Sequence, residues 1–295
     1  MTSVRSHWFG IAAIVLATGL FIVSDSLMKL TAQALQQPLQ VLFMRCFFGF
    51  ICSAVLVLVM GQWREIGGAF DWRVLLRASS EAASTFFYMT ALANMPIADA
   101  IAIGQTAPLL VIIAVAVIFR ERIGAIRLVL VCAGFLGAVL VAQPTGAGLS
   151  PAAIYAFLTA MTVAMRDLLT RGVPSSIPTF VVLSASGFIL SLTTGAATLA
   201  LQPWLPPSPV QWLTMIASGL IVTLGQMAIF LAYRRAPASI VAPYYYSFTV
   251  WAVTAGFVIW REVPNSLAVI GMALIVGSGL ALLFVRSRQV QEAVA

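Results

Sequence analysis

The sequence predicts an all-α membrane protein: ten transmembrane helices arranged as two inverted five-helix repeats. Three observations lead there. Of 295 residues, 61% are hydrophobic and 8% charged, with mean hydropathy +1.03, whereas about a quarter of a soluble domain is charged. Long segments hold no Asp, Glu, Lys or Arg at all: 100–119, 128–165, 172–233, 236–260 and 263–285. Finally, the second half of the chain echoes the first at a nearly constant offset.

A bilayer core about 30 Å thick takes about 20 apolar residues per helix. Backbone groups in lipid must pair internally, which leaves helices or a closed barrel. Long apolar runs without ten-residue alternation select helices. Breaks at Gly, Pro and Arg clusters give spans at 8–30, 38–60, 73–95, 98–118, 125–142, 151–171, 178–201, 211–235, 238–259 and 266–285. The connections are too short for a folded domain outside the membrane. The first span is read as a helix rather than a signal peptide: its apolar stretch is long, and only Arg5 precedes it.

Charge sets orientation. Thirteen of the sixteen Lys and Arg residues, among them Arg64, Arg73, Arg77, Arg120, Arg122, Arg127, Arg234, Arg235, Arg286 and Arg288, fall at the termini or in alternate connections. Lys29 and Arg261 lie on the opposite side, and Arg45 lies within span two. The positive-inside rule then puts both termini in the cytoplasm. The net charge of +7 is spread over short turns and is no footprint for nucleic acid. Cys46, Cys52 and Cys132 lie in spans without a CxxC, and the single histidine, His7, sits at the N-terminus. Neither a metal site nor a histidine-based triad is expected, and no cofactor. No GxxxxGK[ST] loop for ATP is present.

The repeat is visible by eye. ALANMPIADAIAIGQTAPLLVIIAVAVIFRER begins at Ala91, and AYRRAPASIVAPYYYSFTVWAVTAGFVIWREV begins at Ala232. Pro96 meets Pro237, Arg120 meets Arg261 and Glu121 meets Glu262, all 141 apart. Asp25 and Lys29 match Asp167 and Arg171 at 142. The halves are 1–143 and 144–295. Five spans per half invert the second copy in the membrane, an architecture common among secondary transporters.

Ten spans, the inverted duplication, a short Pro-containing turn into spans four and nine, and an [FW]RE ending to those spans together resemble the drug/metabolite transporter superfamily, in its EamA-type branch. The resemblance covers nearly the whole chain. It implies an exporter or exchanger of small metabolites in a bacterial inner membrane, with a central cavity lined by spans one, three, four, six, eight and nine. It also implies that spans five and ten are peripheral. The branch most similar exports aromatic or other neutral amino acids; other branches carry nucleotide sugars or sugar phosphates.

Polar residues within the spans supply the candidate site. Pro108 and Pro243 interrupt spans four and nine and free the carbonyls of Gly104 and Ser239. Gln105 and Thr106 adjoin the first break. Tyr244, Tyr245 and Tyr246 follow the second, and at about 100° per residue they cannot all face one cavity. Arg45 and Glu81 would each cost about 2.5–3.5 kcal/mol facing lipid at mid-span, so mutual approach or a wet cavity is expected. Asp25 and Lys29, four apart, form a favourable acid-before-base pair with a gating role in view. Ser84, Thr85 and Gln226 add hydrogen-bonding groups, and Met161 with Met165 adds an adaptable apolar face. Gly134, Gly137, Gly277 and Gly279 are expected at close helix contacts. The expected partners are the lipid bilayer and a small amphipathic solute; a monomer is compatible with the sequence, which leaves the oligomeric state open. Proton coupling through Glu81 and Asp25 and proton-free exchange fit equally. A membrane enzyme, a channel and a structural protein are the rivals; no converging nucleophile, base and metal ligands favour the first.

Overall fold

The computed structural model describes residues 2–119, 124–143, 149–170, 172–236 and 238–294. Arg120, Glu121, Arg122, Arg171 and Pro237 lie outside the described residues. Among those described, regular structure is helical throughout, without a strand. The helices are α1 (Thr2–Leu35), α2 (Pro38–Val59), α3 (Trp72–Asn94), α4 (Ile97–Gly104), α5 (Ala107–Phe119), α6 (Ala125–Ala142), α7 (Pro151–Thr170), α8 (Thr179–Leu201), α9 (Pro209–Arg235), α10 (Ala238–Val241), α11 (Ser247–Ala255) and α12 (Ser266–Val294). Short 3₁₀ segments run over Gln62–Phe70 and Ala242–Tyr246, and a π-turn over Gly256–Trp260.

The helix limits follow local chemistry. Pro38, Pro151 and Pro209 each open a helix, where a missing N–H costs nothing. Gln36 and Gly61, with φ of 57° and 70°, take the left-handed conformation that ends α1 and α2. Seven segments among the described residues are long and apolar enough to cross a membrane. α3 is not one of them, because Arg73, Arg77 and Glu81 stand among Ser79, Ser80, Ser84 and Thr85. The fourth and ninth spans are interrupted, as Pro108 and Pro243 lead one to expect, but each break is wider than the loss of one carbonyl's partner. The fourth breaks between Gly104 and Ala107, and the ninth is a succession of α10, 3₁₀ turn, α11 and π-turn. Pro108 and Pro243 sit just inside the segments that follow, so neither lies in an unbroken helix.

The chain forms two compact units. Unit one comprises Met1–Gly19, Met95–Ala160 and Gly225–Ala295; unit two comprises Leu20–Asn94 and Met161–Leu224. The chain therefore passes from unit to unit partway along α1, α7 and α9. Each unit draws on both halves of the sequence.

In unit two, α2 packs on α8. A Cβ on Gly187 would lie 3.1 Å from Phe50 Cα, and one on Gly219 would lie 2.8 Å from Gly49 N; these glycines let backbones approach closely. Phe43, Phe47, Phe48, Phe50 and Phe188 fill the seams beside them, with Phe50 and Phe188 5.5 Å apart. Hydroxyls join α1 to α9: Ser24 Oγ donates to Ser218 O at 2.9 Å, and Ser218 Oγ to Ser24 O at 3.0 Å. At the rim, Trp63, Phe70 and Trp72 are exposed. Arg64 and Arg73 stack over Trp63 and Trp72 at 5.1 and 5.5 Å, a pattern suited to the headgroup region.

In unit one, α6 packs on α12. Gly137 and Gly271 meet face to face: a Cβ on Gly137 would lie 2.6 Å from Gly271 O, and one on Gly271 2.5 Å from Gly137 O. Gly134 seats Leu109 and Ser278, and Gly279 seats the Tyr246 ring. Gly277 has open space around it, so on α12 Gly271 and Gly279, not Gly277, make the close contacts. The paired helices occupy corresponding places in the two halves. α8 starts 141 residues after α2 (179 − 38), and α12 starts 141 after α6 (266 − 125).

Replacing Gly271 with valine forces apart two backbones that no rotamer change can relieve. The expected cost is about 1–3 kcal/mol, read as a lowered thermal midpoint in detergent. Gly277→Val, with free space around it, is expected to leave the midpoint within about 1 °C of the parent. An equal response of the two variants would contradict the packing described.

Candidate functional site

Unit two buries two separate charge clusters. In the first, Asp25 on α1 accepts from Arg45 on α2 (Nη2 to Oδ1, 2.9 Å) and from Tyr88 on α3 (Oη to Oδ2, 2.8 Å). The Arg45 and Asp25 side chains are 12% and 5% exposed. A second guanidinium nitrogen, Nη1, donates to Met28 Sδ at 3.1 Å. Both carboxylate oxygens are therefore occupied, and three helices are tied at one point. Lys29, one turn further along α1, is also buried. The expected Asp25–Lys29 pairing is corrected to this extent: Arg45 and Tyr88 hold the Asp25 carboxylate.

The second cluster centres on Glu81. Arg77, one helical turn earlier on α3, donates through Nη1 to Glu81 Oε2 at 2.7 Å and to Ser186 Oγ at 2.6 Å. Its Nε donates to Thr170 Oγ1 at 3.1 Å. Arg166 on α7 places Nη1 3.6 Å from Glu81 Oε1, and its Nε and Nη2 bond Asp167 Oδ1 at 3.0 and 2.8 Å. Two arginines and two acids thus neutralise one another across α3, α7 and α8. The expected mutual approach of Arg45 and Glu81 gives way to separate partners for each. The electrostatic reason is that Arg77 and Arg166 lie on helices rather than in connections, which puts cations beside Glu81.

The other predicted groups of unit two divide by exposure. Ser84 Oγ and Thr85 Oγ1 both donate to the carbonyl of Glu81 at 2.8 Å, a local bond typical of hydroxyls inside helices. Met161 and Met165 are 57% and 54% exposed on α7.

In unit one, Gln105, Thr106 and the three tyrosines lie at the two broken helices, and a hydrogen bond from Gln105 joins those helices. Gln105 Nε2, between α4 and α5, donates to Thr249 Oγ1 on α11 at 2.7 Å. Thr106 is fully buried and returns its hydroxyl to Ile103 O at 2.7 Å. Thr18 Oγ1 on α1 and Ser247 Oγ at the start of α11 are 2.8 Å apart, and Trp251 Nε1 donates to Val15 O at 3.1 Å. The three tyrosines separate: Tyr246 is buried against Gly279 of α12, while Tyr244 and Tyr245 are exposed. Gln226 on α9 and Pro243 are half-buried, and Pro108 is exposed.

A further cavity of about 180 Å³ opens at one end of unit one, lined by Asp99, Gln143, Gly256, Glu262 and Asn265 among others. Arg261, with φ 58°, turns the chain sharply after the π-turn and carries Glu262 back over Gly256. Gln143 and Asn265 exchange amide hydrogen bonds at 2.7 and 2.9 Å. The cavity's volume is below the usual size for a drug-like molecule. Among the described residues no three His, Cys, Asp or Glu side chains group as a metal site.

Sequence reasoning missed Arg77, Arg166, Tyr88 and Ser186 as partners of the buried acids. One signal was available: Arg77 and Glu81 are four apart, the spacing of a helical ion pair.

Comparison with known proteins agrees with this all-helical arrangement. Residues 6–143 and 150–285 each match the model of the EamA-like transporter family, so that domain is duplicated. A riboflavin transporter of Vibrio cholerae is 30% identical over 214 residues, covering 70% of this chain and 69% of its own length. A pseudopaline exporter of Pseudomonas aeruginosa is 28% identical over 279 residues, covering 92% and 95%. A solved crystal structure shares the fold, with TM-score 0.61 and 20% identity over 96% of this chain and 98% of its own.

The Asp25–Arg45 pair is expected to behave as a coupled unit. Arg45→Met alone strands a buried carboxylate and costs about 3–5 kcal/mol. Adding Asp25→Leu to it recovers much of that loss, so the double variant unfolds at a higher temperature than Arg45→Met alone. Additive losses in a double-mutant cycle would show that the two residues do not share one interaction.

Proposed function

The chain belongs to the EamA-like transporter family, and on that premise we propose that it is a secondary carrier moving a small amphipathic metabolite by alternating access. Membership makes it an integral membrane transporter and not an enzyme. The single observation that carries the reading is the double family match across both halves, with relatives that are themselves named transporters. The proposed arrangement has ten spans in two inverted halves, 1–143 and 144–295, in a bacterial inner membrane with both termini cytoplasmic. The equal 141-residue offset of the α2/α8 and α6/α12 pairs supports that symmetry, as does the bias of Lys and Arg to alternate connections.

For substrate, the proposal is an aromatic or large neutral amino acid. Tyr244 and Tyr245 offer exposed rings with hydroxyl tips, and Met161 and Met165 offer an adaptable apolar surface. Gln226 adds a half-buried amide. Glu81 is proposed as the acid whose charge the transport cycle uses, since Arg77 and Arg166 poise it between two cations. Asp25, Lys29 and Arg45 are proposed to hold one conformational state closed. A second reading takes the substrate class from the relatives, one a riboflavin transporter and another a pseudopaline exporter; the extent of those matches favours it.

Counterflow into proteoliposomes distinguishes the readings. Vesicles preloaded with unlabelled tryptophan, phenylalanine or leucine are expected to accumulate the labelled amino acid, saturably, above protein-free vesicles. Glu81→Gln is expected to lower that rate at least about tenfold while eluting as a single folded species. Accumulation of riboflavin or pseudopaline alone would transfer the assignment to the second reading. Chemical conversion of the solute in place of movement would overturn the carrier.

A further inference from the structure

The break in the fourth helix leaves oxygen atoms in excess inside unit one. Gln105 N bonds Ile101 O at 2.9 Å, but Thr106 N shifts to Ile103 O at 3.0 Å and Leu109 N to Thr106 O at 2.9 Å. An unbroken α-helix would pair Thr106 N with Ala102 O and Leu109 N with Gln105 O. Pro108 has no N–H to offer Gly104 O. The carbonyls of Ala102, Gly104 and Gln105 thus lose their helical donors where α4 ends, and that end carries the negative pole of the helix dipole.

Gln105 adds a fourth oxygen. Its Nε2 is engaged by Thr249 Oγ1, while its Oε1 is buried without a hydrogen-bond partner in the protein. The residue is 7% exposed, Thr249 7%, Ala102 2% and Thr106 0%. Residues 100–119 and 236–260 contain no Lys or Arg to neutralise such a cluster. A buried acceptor left unpaired is destabilising, and here acceptors accumulate on one short stretch.

We propose that the α4–α5 break binds one desolvated monovalent cation of sodium size, held by main-chain carbonyls and Gln105 Oε1. Neutral oxygens suit a monovalent ion, whereas calcium and magnesium sites are built with carboxylates. Ala102, Gln105 and Thr106 are buried, while Gly104 is half-buried with open space beside it, which gives an ion a way in. Interrupted helices whose half-helix ends meet inside the membrane are where transporters coordinate coupling ions. The inference goes beyond the proposed transport activity, and the binding it claims stands independently of which solute is carried.

Two measurements on the purified full chain in detergent test it. Thermal unfolding is followed in sodium chloride and in choline chloride at equal ionic strength, and binding of radioactive sodium is measured directly. The expected result is a saturable rise in midpoint specific to sodium, reaching about 3 °C or more at high saturation, with bound label to match. Gln105→Leu abolishes both. Gln105→Glu keeps the oxygen and adds charge, and it lowers the half-saturating sodium concentration at least about tenfold. Equal midpoints in sodium and choline, the outcome expected if the break holds only water, would overturn the proposal. Full sodium response in Gln105→Leu, or an unchanged half-saturation in Gln105→Glu, would also overturn it. Failure of amino-acid counterflow leaves these readouts untouched.

Discussion

Hydrocarbon tolerates neither an unpaired charge nor an unpaired peptide group, and every unusual feature of this chain is an answer to that constraint. The constraint makes the protein helical. It also explains why Asp25, Arg45, Arg77, Glu81 and Arg166, all within helices, sit in two mutually neutralising clusters. Each cluster recruits hydroxyls as well: Tyr88 in one, Ser186 and Thr170 in the other. Placing such charges inside helices is costly, and pairing within each cluster offsets that cost.

Helix association in lipid cannot draw on the hydrophobic effect between helices, so it rests on close packing and on polar contacts. Unit one relies on glycine, with Gly137 set against Gly271 and Gly279 under Tyr246. Unit two combines Gly187 and Gly219 with phenylalanine-filled seams and the Ser24–Ser218 hydroxyl pair. In both units the principal pair joins a helix of the first half to the helix 141 residues later. That pairing gives the sequence repeat a physical meaning: the two copies cover one another.

Much of the fold was legible in the sequence because its signals are local. Charge-free runs, prolines at helix starts and glycine breaks locate the helical segments to within a few residues, except α1 and α12, which extend further. The internal break of the fourth span was less legible, since Pro108 near a helix start and Pro108 inside a helix look alike in one dimension. The site was only partly legible. Glu81 and Asp25 stand out as acids in apolar surroundings, but their partners depend on which helices meet. Arg77 and Arg166 read as boundary charges until α3 and α7 are seen to include them. Three consecutive tyrosines cannot all face one cavity, but the sequence does not single out Tyr246 as the buried one, because Gly279, which receives it, lies 33 residues away (279 − 246).

The proposed carrier requires two copies of one helical unit inserted with opposite orientation, and the topology of equivalent connections tests that most directly. In a variant with Cys46, Cys52 and Cys132 replaced by serine, single cysteines are placed at Glu65, between α2 and α3, and at Ser208, between α8 and α9. A membrane-impermeant thiol reagent applied to intact cells is predicted to label position 208 and to reach position 65 only after the membrane is opened. Labelling of both positions from the same side would contradict the inverted duplication and the carrier mechanism built on it.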